Sequence, residues 1–157
     1  MKPKFQSRQS IIISAPLEKV WNYLMDISKI PEFHPRVTNV DLLSNQQFRA
    51  ENVSYQCHLS DGKNSCIEKD IEIVPMEKIV TELPSDTMGL TKLLNDYVVE
   101  TLFERVNDKQ TRIEMVHYYS SSKFKVWLMN FIIKPKIAKE TLATLQGIKK
   151  SIENGTK

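Results

Sequence analysis

Three histidines and two cysteines are the side chains of this 157-residue chain best suited to proton transfer or metal binding. His117 stands between Met115 and Tyr119 in a segment whose alternation predicts a strand, so all three share a face. An imidazole there can hydrogen-bond a ligand carbonyl or act as a general acid or base. No neighbour in sequence fixes its geometry, and the plainer expectation is a cavity histidine satisfied by a hydroxyl. His58 belongs on the outer face of its strand. His34, between Phe33 and Pro35, reads as structural. Three scattered histidines without a carboxylate or cysteine at ligand spacing predict no metal site. The chain has no Gly-rich phosphate loop, no G-x-S-x-G and no C-x-x-C, so no catalytic residue is assigned and no cofactor is expected.

The elements that must position these groups begin with a strand over Lys4–Ser14, with Phe5, Ile11 and Ile13 on one face. Ser14-Ala15-Pro16 opens a helix whose apolar stripe is Leu17, Val20, Trp21 and Leu24, with Glu18 near its positive end. Pro31 and Pro35 reduce residues 26–35 to a loop or one broken turn. A strand over Arg36–Leu43 turns at Asn45-Gln46-Gln47 into a long strand, Phe48–Ser60. Asp61-Gly62-Lys63-Asn64 then turns it into Ser65–Val74. The register of this hairpin decides a chemical question. A two-residue Asp-Gly loop sets Cys57 opposite Cys66, but also sets Val53, Tyr55 and Leu59 with Glu68, Asp70 and Glu72. A slip of one residue aligns them with Ile67, Ile71 and Ile73. The apolar match predicts cysteines on opposite faces and no disulfide, with Cys57 an inert, inward thiol.

Ile79–Leu83 is a further strand. Pro84–Asp96 is long for a connection and carries Met88, Leu90, Leu93 and Leu94, which suits a lid over a cavity mouth. Tyr97–Val106 and Thr111–Tyr119 form a last hairpin, turning at Asn107-Asp108-Lys109. Val99, Thr101, Phe103, Ile113, Met115, His117 and Tyr119 share the inward parity, and Glu100, Glu104, Arg112 and Glu114 the outward one. Tyr55, Lys69, Thr81, Thr101, His117 and Tyr119 place polar groups among aliphatics on the inner face. Each costs about 1–3 kcal/mol if buried without a partner. A cavity holding water or the polar end of a ligand supplies such partners.

The C-terminal stretch Ser122–Asn154 predicts a long helix, with cap hydroxyls in Ser120-Ser121-Ser122 and a stripe of Ala138, Leu142, Leu145, Ile148 and Ile152. Pro135 predicts a kink or break. Phe124–Ile133 is apolar nearly all round, so burial within the sheet is expected. Lys123, Lys125, Lys134, Lys136 and Lys139 beside Trp127 and Phe131 could touch an anionic membrane transiently; a solvated basic face is the plainer reading.

Two stretches together carry a resemblance. IIISAPLEKVWNYLMDISKIPEFHPRVTNVDLL has a strand ending in Ala15-Pro16, then Glu18, Val20-Trp21, Leu24, Asp26, Pro31-Glu32-Phe33 and Pro35. IEIVPMEKIV supplies a strand–Pro–strand link, and a long helix closes the chain. In this order the chain resembles the START-like, birch-pollen-allergen-like (SRPBCC) superfamily, nearest its polyketide cyclase/dehydrase and lipid-transport branch. The resemblance implies a single domain over residues 1–157 with the α+β helix-grip fold. That fold is a curved antiparallel sheet wrapped around a long C-terminal helix, with two short helices after the first strand. It also implies a cavity that binds, and could carry, a small hydrophobic ligand such as a lipid, isoprenoid, quinone or polyketide-like molecule. Tyr55, Thr101, Phe103, Met115, His117 and Tyr119 would line it, with Trp127 and Phe131 as the helix-side wall. One alternative is a cyclase/dehydratase-type enzyme using His117 and Tyr119 as acid and base. Another is a co-chaperone-like interaction module.

The totals agree with a soluble globular class. Hydrophobic content is 41% and charged content 26%, ordinary values for a chain able to bury roughly 70% of its unfolded surface. A net charge of +3 is too small for a nucleic-acid partner. The N-terminal MKPKFQSRQSIII lacks the continuous apolar core of an export signal, and a cytoplasmic location is expected.

Overall fold

The computed structural model describes residues 3–121 and 123–155. Its first strand, β1 (Phe5–Ile13), pairs with the last, β7 (Gln110–Ser120). Two short helices, α1 (Leu17–Met25) and α2 (Ile30–Phe33), then carry the chain to the opposite edge of the sheet. From there β2 (Val37–Leu42), β3 (Ser54–Leu59), β4 (Ser65–Val74), β5 (Lys78–Asp86) and β6 (Asn95–Asn107) return strand by strand. The result is one antiparallel sheet of order β1-β7-β6-β5-β4-β3-β2. A one-turn helix, α3 (Leu90–Leu93), precedes β6, and the 30-residue α4 (Phe124–Glu153) closes the chain. The α+β architecture is the expected one.

Helix α1 forms where its stripe predicts. Leu17, Val20, Trp21 and Leu24 are all buried, and Trp21 meets Phe103 of β6 edge-on at 5.0 Å. Its N-cap is Pro16, in extended backbone and without a side-chain cap bond. Asp26 caps the following 3-10 turn by accepting from the Ser28 amide at 3.0 Å. Helix α2 lies on α4 so closely that a Cβ on Gly147 would sit 2.0 Å from the Phe33 carbonyl oxygen. Only glycine admits that approach.

Bulges account for the strand errors. In β1 the register shifts between Phe5 and Ser7, so Phe5 leaves the face of Ile11 and Ile13 and lies exposed against Tyr118. The hairpin register is the one the apolar pattern argued against: Cys57 faces Cys66 and Tyr55 faces Glu68. Asp70 pairs with Thr81 but Glu72 with Val80, so β4 carries an extra residue there. That bulge reverses the alternation. Cys66, Glu68 and Asp70 point inward before it, and Ile73 packs on the core after it. Lys69, expected inward, takes the other face toward Glu82, 3.9 Å away.

The segments between strands and the last helix also depart from the local pattern. The long strand Phe48–Ser60 is ordered as β3 only from Ser54, because Asn52 adopts a left-handed φ of 68°. The upstream segment instead folds onto α1, with the Arg49 amide donating to the Met25 carbonyl at 2.9 Å. The Pro84–Asp96 connection is largely regular: β5 runs to Asp86, whose carboxylate accepts from the Leu90 and Thr91 amides of α3. Helix α4 is continuous through Pro135, which lies on its exposed side. Its N-cap is Lys123, without a side-chain bond, and Ser122 lies outside the described residues. The Phe124–Ile133 turns are not buried. The sheet receives one side of them, through Val126 and Ile133, and leaves Phe124 and Phe131 more than 70% exposed. Further along, Thr141, Thr144, Leu145, Ile148 and Ile152 form the buried stripe, and Leu142 lies outside it. No helix among the described residues is long and apolar enough to cross a membrane.

Candidate functional site

Between the inner face of the sheet and α4 lies a cavity of about 250 Å³. Inward parity on β6 and β7 brings Tyr97, Val99, Thr101, Met115 and His117 to its wall. Helix α4 contributes Ile137, Thr141 and Thr144, residues three or four apart on one face. Ile30, Phe33 and His34 close one side, and Met88 and Leu90 another. At the rim Arg36 pairs with Glu140 at 3.2 Å and directs a second nitrogen at the Met88 sulfur, tying α4 to the connection before α3.

Two polar networks interrupt the apolar wall. In the first, the Tyr97 hydroxyl lies 2.8 Å from His117 Nδ1, and Thr141 Oγ1 lies 2.9 Å from Nε2. Thr141 donates its proton to the Ile137 carbonyl at 2.7 Å, so toward His117 it accepts. Nε2 therefore carries the ring proton and Nδ1 accepts from Tyr97. Burial lowers the His117 pKa to about 4, and burial raises that of Tyr97. The histidine is neutral with both nitrogens engaged.

The second network is charged. Arg49 donates through Nε to the Leu24 carbonyl at 2.9 Å, and through Nη1 to Tyr55 Oη at 2.6 Å and Asp70 Oδ1 at 2.7 Å. Tyr55 in turn donates to Glu68 Oε2 at 2.8 Å, and Thr81 to Asp70 Oδ1 at 2.8 Å. Burial raises the Tyr55 pKa, so the phenol keeps the proton this chain requires. Arg49, Glu68 and Thr81 reach the cavity wall. Asp70 is fully buried, and its Oδ2 has no hydrogen-bond partner.

Among the described residues one group could hold a metal ion: the sulfurs of Cys57 and Cys66 and a carboxylate oxygen of Glu68 all lie within 4.8 Å of one another. Two sulfurs and a carboxylate suit a zinc-like ion. Both thiols are free, and a hydrogen bond with Cys66, then burial, push the Cys57 pKa up. The sequence separates this trio because the apolar register puts the two cysteines on opposite faces.

Of the expected site residues, Thr101, Met115 and His117 line the cavity. Tyr55, Phe103 and Tyr119 are buried behind its surface. Trp127 and Phe131 do not form the helix-side wall; they are 62% and 72% exposed, on the side of α4 away from the sheet. Nor do His117 and Tyr119 pair. Tyr119 donates to Asn130 Oδ1 at 2.6 Å and stacks on Tyr97, whose hydroxyl takes the place beside His117. Tyr97 shares the parity of Val99 and Thr101, and that signal was present in the sequence. Thr141 and Thr144 fall in register with Leu145 and Ile148. Arg49, in a stretch read as strand, gave none. His34 borders the cavity rather than serving the loop alone, and burial lowers its pKa. His58 is on the outer face, 2.7 Å from Asp41.

Residues 4–153 match the family model described as polyketide cyclase / dehydrase and lipid transport. No curated protein matches the sequence. Three solved structures share the fold over nearly the whole chain. A START superfamily protein from Mycobacterium smegmatis aligns with a TM-score of 0.74 at 14% identity, over 97% of this chain and 99% of that one. The Zhui aromatase/cyclase from a Streptomyces species aligns at 0.74 and 12%, over 94% and 93%. Truncated norcoclaurine synthase from Thalictrum flavum aligns at 0.76 and 12%, over 99% and 98%. At such identities the likeness establishes the helix-grip fold.

Proposed function

We propose, for a chain that belongs to the polyketide cyclase / dehydrase and lipid transport family, that the cavity reversibly binds one small, mainly apolar molecule with a polar end. Family and fold fit either hydrophobic-ligand binding or a cyclase/dehydrase role. The observation that carries the binding reading is a largely apolar cavity of about 250 Å³ bordered by Arg49, Glu68 and Thr81. Its volume falls below the roughly 300–1,000 Å³ of drug-sized pockets and above the roughly 150 Å³ that admits benzene. A one- or two-ring molecule or a short chain suits it better than a two-chain lipid. Binding is favoured over acid–base turnover because both His117 nitrogens are engaged by Tyr97 and Thr141.

Native mass spectrometry of protein purified from its own cells tests this, with released molecules identified. The expected result is one apolar molecule per chain, absent from a Thr101→Phe variant that keeps its circular dichroism. A protein that carries nothing, and takes up no environment-sensitive naphthalene dye that Thr101→Phe excludes, would sink the reading. A His117→Ala variant separates the two roles: a carrier retains its ligand and shows no lost turnover, an enzyme retains it and loses turnover.

A further inference from the structure

The start of α4 presents a surface that a chain folded alone does not explain. Phe124, Trp127, Leu128, Met129, Phe131 and Ile132 are between 44% and 73% exposed. Contiguous apolar patches of this kind mark interaction sites. The helix cannot roll to hide them, because its other side is fixed. Val126 is buried, Asn130 bonds Tyr119 and Gln6, and Ile133 and Ile137 pack on the Tyr97–Tyr119 cluster.

Charge is arranged around the patch. With successive residues turning about 100°, Phe124, Trp127, Leu128, Phe131 and Pro135 fall along one outward stripe of α4. Lys123 and Lys134 then lie along one border, Lys125 and Lys136 along the other, and Lys139 at the far end. No acidic residue occurs between positions 123 and 139. Four of the five lysines are exposed and Lys134 is half-buried.

This pattern selects among occupants. A second copy docked face to face about a two-fold axis would bring five lysines against five, and this stretch of helix has no acid to meet them. A nucleic acid would answer the lysines but leave the apolar stripe uncovered. A bilayer surface with anionic headgroups answers both. Aromatic and aliphatic side chains enter the headgroup–acyl boundary, and flanking lysines extend to the phosphates. The stacked Phe124–Trp127 pair, 5.6 Å between rings, supplies a rigid wedge. We propose that the first third of α4 docks the protein on an anionic lipid bilayer. The inference stands on the outer face of α4 and does not depend on what the cavity holds.

The test is co-sedimentation of the full chain with vesicles of phosphatidylglycerol and phosphatidylcholine, against phosphatidylcholine alone, at low and high salt. Wild-type protein is expected to pellet with anionic vesicles, less with neutral ones, and to be released by salt. Trp127 emission should shift to the blue on binding, since Trp21 is already buried. Trp127→Asp/Phe131→Asp should weaken binding on the order of tenfold or more, with circular dichroism unchanged. Lys134→Glu/Lys136→Glu should remove the preference for anionic vesicles. Protein that stays in the supernatant with anionic vesicles at low salt overturns the proposal, as does binding that neither pair alters. Sedimentation velocity adds a decisive outcome. A dimer that Phe131→Asp dissociates, with no vesicle binding, assigns the face to a second copy.

Discussion

At the scale of single residues, the proton bookkeeping around His117 decides what this site can do. Tyr97 donates to Nδ1, Nε2 donates to Thr141, and Thr141 donates to the Ile137 carbonyl. Each group has one proton and one assignment, so protonating the ring would force the Tyr97 hydroxyl to turn from donor to acceptor. A folded-state pKa of about 4 against about 6.5 unfolded fixes the sign of the pH dependence. Below the unfolded value the unfolded chain takes up a proton that the folded chain refuses, so folding weakens as pH falls. The loss is expected between about pH 6.5 and 4, reaches up to about 3 kcal/mol, and is absent above pH 7. Urea unfolding of wild type and His117→Leu at pH 7 and 4.5 measures it. The variant should lose less stability over that interval, and an equal loss would mean another group carries the dependence.

At the scale of elements, Arg49 joins pieces of chain that the strands alone do not hold together. It bonds the C-terminal turn of α1 through Leu24, β3 through Tyr55 and β4 through Asp70. The inward acids of β4 are tolerable because this cation reaches them, which is why that register defeats the apolar one. Arg49→Met should therefore destabilise by about 3–5 kcal/mol, since it removes the cation that faces the buried Asp70 carboxyl. Adding Asp70→Asn should recover a large part, a double-mutant coupling measurable by urea unfolding. Additive losses would show that the two residues do not act as a pair. Arg49→Lys should rescue poorly, since an ammonium lacks the planar fork that serves Leu24, Tyr55 and Asp70 at once.

At the scale of the whole molecule, α4 serves two surfaces. Its inner face lines the cavity through Ile137, Thr141 and Thr144, and its outer face carries the apolar stripe between lysines. The Arg36–Glu140 pair spans the rim between them. If the cavity is a binding site, occupancy stabilises the fold by mass action. Protein stripped of ligand by partial unfolding and refolding should melt lower than protein as purified. Returning the extracted molecule should restore the melting temperature, with an increment that grows with its concentration. Thr101→Phe should show neither response. Equal melting before and after stripping would argue that the cavity is empty in the cell.

The sequence by itself determined the parts governed by local pattern. The α1 stripe, the inward parity of β6 and β7, the long last helix and the order of elements all follow from periods of 3.6 and 2. They are therefore visible in one chain. Thr101, Met115 and His117 reach the cavity for that reason. Tertiary structure decided what local pattern cannot encode. A single extra residue at the β4 bulge reverses which side chains point inward, and the choice depends on an arginine in another segment. Tyr97 rather than Tyr119 meets His117 because Asn130 and Gln6, on α4 and β1, claim the Tyr119 hydroxyl and backbone. The apolar start of α4 is outside because the sheet covers only one side of a helix. Burial is a property of what packs alongside, and no run of apolar residues specifies that alone.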